Sequence, residues 1–162
     1  EGWVARDVVT HLLTWVPSAL GRSGLDLPAP PDEGDDAALA PAWDAFAATL
    51  QGALDDADVA ARTFDAGPPG EMTVGAAIDM LVTGDVLVHT WDLATAIGRA
   101  DDVHLDATIA QEMLVGMQPM DEMLRSSGHY GPKVEVAPGA STQDQLLAFT
   151  GRDPGWRPPG AP

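Results

Sequence analysis

The most apolar stretch of the chain, residues 74–97, carries four titratable side chains: Asp79, Asp85, His89 and Asp92. Those interruptions count against a membrane span, which needs a long run with few or no charges. Thr73 can cap a helix starting at 74, and Gly98 can end it. The expected element is therefore one long helix, and what it does with its carboxylates and imidazole constrains the chain most.

Asp85 and His89 stand at i and i+4, so both side chains share one helix face, about 5 to 6 Å apart at Cβ. Ile78, Leu81, Val82, Leu93 and Ala96 flank them, and a carboxylate buried among such neighbours is costly unless it is paired or binds a metal. Two ligands of one ion can start there. His11 is the third candidate, because it shares a face with Val4, Val8 and Trp15 in a helix expected over 3–20. Packed helices lie roughly 8 to 10 Å apart, a separation that facing ligands can span. With no cysteine in the chain, thiolate ligands are excluded. A His11, Asp85, His89 set with an open position suits zinc first, with nickel, iron or manganese as alternatives. Asp92 is read as orienting an imidazole by hydrogen bond. Plainer readings stay open beside this one: Asp85 and His89 as a surface pair worth roughly a few tenths of a kcal/mol, and His11 as a core histidine bonded to Asp7. His104 is read as exposed, and His129 as part of a surface turn over 126–131.

A second helix is expected over 41–58, with Trp43, Phe46, Leu50 and Leu54 on one face, after a Pro-rich acidic connection over 21–41 that is either a lid or a solvated linker. Residues 65–70 form a Gly/Pro breaker. A fourth helix over 106–125 carries Ile109, Met113, Met117, Met120 and Leu124 in one stripe, read as core with an adaptable pocket wall as the sharper alternative. A short extended run over 133–136 follows, then a last helix over 143–149 opened by Ser141 and Asp144. Four long amphipathic helices with no sheet predict an all-α antiparallel bundle, one domain over 1–150 with a Pro/Gly-rich tail over 151–162. The formal charge of -17, from 25 acidic against 8 basic residues, argues against nucleic acid and anionic membrane as partners. With no signal segment at the start, the expected compartment is the cytoplasm.

Three segments then resemble a known family. Glu1-Gly2-Trp3 with Arg6-Asp7-Val8-Val9-Thr10-His11-Leu12-Leu13 resembles the metal-binding helix of the DinB-like and mycothiol-dependent maleylpyruvate isomerase superfamily. Val88-His89-Thr90-Trp91-Asp92-Leu93-Ala94 resembles its second ligand-bearing helix. Gln145-Leu146-Leu147-Ala148-Phe149-Thr150-Gly151-Arg152 resembles the closing segment of its compact actinobacterial branch. The resemblance puts His11 and His89 on ligand positions, and Asp85 where the isomerase carries glutamate and many relatives carry histidine. It also implies a further helix ahead of the Glu-Gly-Trp motif, so an apolar face is expected to be left open here and to favour association, for instance as a homodimer. The isomerase has a further C-terminal domain supplying a catalytic arginine, which has no counterpart in this sequence, so isomerase activity as such is not carried over.

The leading functional expectation is a metal-dependent enzyme using a small-molecule thiol, of the mycothiol type, for transfer or isomerisation of an electrophilic substrate. A divalent cation can stabilise a thiolate that this cysteine-free chain cannot supply. The alternatives are a metal-assisted hydrolase, in which the open position activates water, and a non-catalytic metal or small-ligand binding protein. No catalytic acid or base beyond the ligands is assigned.

Overall fold

The computed structural model describes residues 3–67, 69–128 and 130–158, so His129 and the Glu1-Gly2 part of the first motif lie outside the described residues. Helices dominate, and the sheet among the described residues is a single two-stranded hairpin, in keeping with an all-α chain. Contacts group the residues into two compact units, Glu1–Leu93 and Ala94–Pro162, where the sequence suggests one domain over 1–150.

The first unit begins with α1, Ala5–Leu20, which buries Val8, Leu12, Leu13, Val16 and Leu20 at the steps of an amphipathic helix. Asp7, weighed from sequence as a partner for His11, has its carboxylate on the Val4 backbone N–H at 2.8 Å, closing the first turn. The acidic connection that follows is anchored rather than freely solvated. Leu25 and Leu27 pack on the core, and Asp36, in a 3-10 turn over Asp36–Ala38, pairs with Arg6 at 2.7 Å.

Where one helix was expected over 41–58 there are two, α2 (Leu39–Asp55) and α3 (Ala57–Ala61). Asp56 lies between them with extended backbone, and its carboxylate accepts the N–H groups of Asp58 and Val59 at 3.0 and 3.1 Å. An aspartate seated as an N-cap starts a new helix instead of continuing the old one. The breaker stretch proves to be a hairpin, β1 (Thr63–Asp65) against β2 (Glu71–Thr73), antiparallel with Phe64 opposite Met72. Strands of three residues are too short to show a period of two in the sequence.

Thr73 ends β2 and caps α4, Val74–Ala77, its hydroxyl accepting the Ala76 N–H at 3.1 Å. Thr73→Ala is expected to cost about 1 kcal/mol, measured as a lower denaturation midpoint at unchanged slope. The long helix expected to run from here to Gly98 is not uniformly α. It passes through a π-helical turn, Ile78–Thr83, before resuming as α5, Gly84–Ala96. The Thr83 hydroxyl reaches back five residues to the Ile78 carbonyl at 3.3 Å, closing the wide turn. A π turn accommodates extra chain and rotates everything after it relative to a straight helix. Ala96, expected on the apolar face, is the last residue of α5 and is exposed, while Val88 and Trp91 are buried.

The core of this unit joins Leu13, Val16 and Leu20 of α1 to Phe46 and Leu50 of α2, Phe64 of β1, and Val74, Ala77, Ile78 and Val82. Each large apolar side chain withdrawn from water here contributes about 1.5–3 kcal/mol. This packing fixes α1 and the Val74–Ala96 segment as rigid supports for polar groups further along them.

In the second unit α6 (Ala107–Met117) packs on α8 (Thr142–Phe149). Ser141 caps α8 by accepting the Asp144 N–H at 3.1 Å, as their spacing predicts. The helix expected over 106–125 is broken by a 3-10 turn, Gln118–Met120, because Pro119 has no N–H for the ladder; α7 then covers Asp121–Ser126. The methionine stripe is only partly core: Met117 is buried, Met113 and Met120 are half-buried, and Ile109 is exposed. Residues 133–136 form no strand, although the Val134 N–H donates to the Ala148 carbonyl at 3.0 Å. Among the described residues no helix is long and apolar enough to cross a membrane.

Candidate metal centre

Two helices of the first unit meet with polar groups facing one another. From α1 come His11 and, one turn later, Trp15; from α5 come Asp85, His89 and Asp92. The π turn immediately ahead of Asp85 sets the rotational position of all three α5 residues. This is where the cost of burying them is met: each is paired.

His11, Asp85 and His89 each offer one ligand atom, and these atoms lie within 4.8 Å of one another. Asp85 stands between the imidazoles, with Oδ2 3.7 Å from His11 Nε2 and Oδ1 3.4 Å from His89 Nε2. Two bonds of about 2.0–2.1 Å at a tetrahedral angle would set neighbouring ligand atoms about 3.3 Å apart. The two spacings to the Asp85 carboxylate are near that value, and the full set lies within 4.8 Å. The three residues that the sequence spacing singled out are brought together, and they could hold one metal ion.

Asp92 takes the supporting place expected of it. Its Oδ2 is 2.8 Å from His89 Nδ1. An ionised carboxylate can only accept, so Nδ1 carries the hydrogen, and Nε2 is the nitrogen turned toward Asp85 and His11. His89 is only 8% exposed, and the side chains of Asp85 and Asp92 are 27% and 21% exposed. Burial acts to lower the His89 pKa, but hydrogen bonds and charge from Asp85 and Asp92 outweigh it and raise the imidazole to about 9. Burial likewise acts to raise Asp85, yet its contacts with His89, Trp15 and His11 hold it below the ordinary carboxylate range. Without metal, the centre is a protonated imidazole held between two carboxylates.

Two contributors escaped the sequence reading. Trp15 lies on the His11 face, which reads as apolar in the sequence, but its indole Nε1–H donates to Asp85 Oδ2 at 2.5 Å. The signal was available: a half-buried indole needs an acceptor, and the i, i+4 spacing aims Trp15 at whatever His11 faces. Trp3 lies against both imidazoles, its ring centroid 5.2 Å from that of His11 and 6.3 Å from that of His89, near-parallel to the latter. The two histidine rings meet edge to face at 4.9 Å. His104 is exposed and takes no part in this cluster.

Comparison with protein families, with curated proteins and with solved structures returns no match for this chain. The chemistry of the centre is therefore argued from its own residues.

Proposed function

We propose that this chain binds one divalent metal ion through His11, Asp85 and His89 and acts on a low-molecular-weight thiol, in transfer or isomerisation of the mycothiol type. The metal part is carried by one observation: two imidazoles and a carboxylate from separate helices converge within 4.8 Å. That donor set suits zinc first, and nickel, iron or manganese after it. The thiol part is supported by the three motifs resembling the DinB-like superfamily and by the absence of cysteine, which leaves any thiol to come from outside.

A divalent cation held here would stabilise a thiolate at neutral pH. The chain's own residues do the rest. Asp92 fixes the His89 tautomer and turns Nε2 inward. Asp85 supplies the negative charge of the ligand set. Trp3 occupies the space beside both imidazoles and so narrows the approach to them.

The test begins with protein purified without an affinity tag. About one equivalent of bound metal per chain is expected, as is a tetrahedral-type absorption spectrum on loading with cobalt(II). Adding a neutral thiol should then bring up a sulfur-to-cobalt charge-transfer band, and an added electrophile should be consumed only in the presence of thiol. Failure to retain or bind any divalent metal would overturn the reading. Metal binding with ester or amide hydrolysis that ignores thiol would replace its thiol part with the hydrolase alternative.

A further inference from the structure

The geometry points to Trp15 as a positioning residue for the metal centre, holding the Asp85 carboxylate in place through its indole N–H; this rests on the metal reading proposed above. An aspartate side chain has two rotatable bonds, and a carboxylate at the meeting of two helices could turn toward solvent. Here it does not. Oδ2 receives the Trp15 Nε1–H at 2.5 Å, leaving Oδ1 toward His89 Nε2 and keeping Oδ2 within 3.7 Å of His11 Nε2. The indole is itself fixed, because Trp15 is half-buried against the apolar core of the first unit.

The arrangement gives two of the three prospective ligands matching supports. His89 is oriented by Asp92 from its own helix. Asp85 is oriented by Trp15 from the opposite helix, so one α1 face supplies both a ligand and the hydrogen bond that aims its neighbour. An N–H donor is also the correct partner for a ligand that must stay ionised, because it lowers the carboxyl pKa without competing for the ion as a cation would. Hydrogen-bond partners behind metal ligands typically govern about 10–100-fold of metal affinity.

Trp15→Phe keeps an aromatic ring in the core and removes only the donor. Cobalt(II) titration of the variant is expected to show affinity lower by about 10–100-fold. Its d–d absorption should also weaken, since a released carboxylate can offer both oxygens and raise the coordination number. A role in packing alone would leave that spectrum unchanged once the site is filled. A parent protein with a tetrahedral-type cobalt spectrum, and a variant matching it in affinity and absorption, would overturn the positioning role while leaving the metal centre standing. A parent that binds no cobalt would overturn both.

Should Trp15→Phe fail to fold, 15N-indole spectra of the parent decide the matter. The Trp15 Nε1–H resonance should lie far downfield, should move toward ordinary indole values in Asp85→Ala, and should shift on zinc addition. An indole resonance indifferent to both changes would overturn the proposal.

Discussion

Asp85→Asn should weaken zinc binding by well over the roughly 10–100-fold that loss of a supporting hydrogen bond costs, whereas Asp92→Asn should fall near the lower end of that range. The asymmetry follows from position. Asp85 sits between the two imidazoles and contributes the only negative charge of the ligand set. Asp92 touches the centre through His89 Nδ1, and an asparagine amide oxygen there can still accept that N–H. His89→Gln, which removes an imidazole altogether, should abolish binding at micromolar zinc. Competition titrations against a chromogenic chelator measure all three, with far-UV circular dichroism as the control for folding. Equal affinities for Asp85→Asn and the parent would move the carboxylate role to Asp92.

The candidate ligand set was legible because it obeys helical spacing. Asp85 and His89 share a face by their i, i+4 separation, and His11 stood out as a polar group in an otherwise apolar row; both are local signals that survive in a bare sequence. Helix starts at Thr73 and Ser141 were legible for the same reason, since a hydroxyl three residues before the N–H it accepts is a local pattern. What the sequence hid depends on small backbone departures. Asp56 reads as one more polar residue in a long helix until its side chain is seen capping the next one. Pro119 sits inside an attractive methionine stripe, and the 3-10 turn around it divides the one helix expected over 106–125.

The π turn over Ile78–Thr83 had the widest consequence. Counting along an ideal helix sets Asp85 and His89 in one fixed register with Ile78, Leu81 and Val82, and the wide turn changes that register. The pair Asp85 and His89 was immune, because both lie beyond the turn and rotate together. Their meeting with His11, by contrast, depends on that rotation. The Trp15 contact was legible only in part: its i, i+4 spacing aims it where His11 faces, but it joins residues seventy positions apart, and periodicity does not say which α5 acceptor the indole meets.

The same centre should make stability fall with pH above 6.5 in metal-free protein, and zinc should remove that fall. In metal-free protein His89 is raised from 6.5 to about 9 by Asp85 and Asp92, against the effect of burial. Below pH 6.5 the imidazole is protonated in both folded and unfolded chains, so the stabilisation is fully present. Between 6.5 and 9 only the folded chain keeps the proton, and the contribution is progressively lost, reaching about 3 kcal/mol by the upper limit. Asp85, whose folded pKa is depressed, works at the other end: its contribution is fully present above 3.8 and disappears as pH falls through the lower folded value. The window of greatest stability for this cluster thus lies between about 4 and 6.5. Zinc removes the slope above it, because His89 bound to the ion is deprotonated, as it is in the unfolded chain above pH 6.5. The ion must displace the His89 proton, so affinity should rise up to tenfold per pH unit toward 9, and that gain offsets what the metal-free fold loses over the same range. Denaturant unfolding of chelator-treated and zinc-saturated protein from pH 6 to 8 tests both, with a falling slope expected for the first and a flat one above 6.5 for the second, and with chelated His89→Gln as the variant that should lose the fall. A chelated parent as stable at pH 8 as at pH 6, or a His89→Gln protein with the parental slope, would show that the imidazole is not held between its two carboxylates in this way.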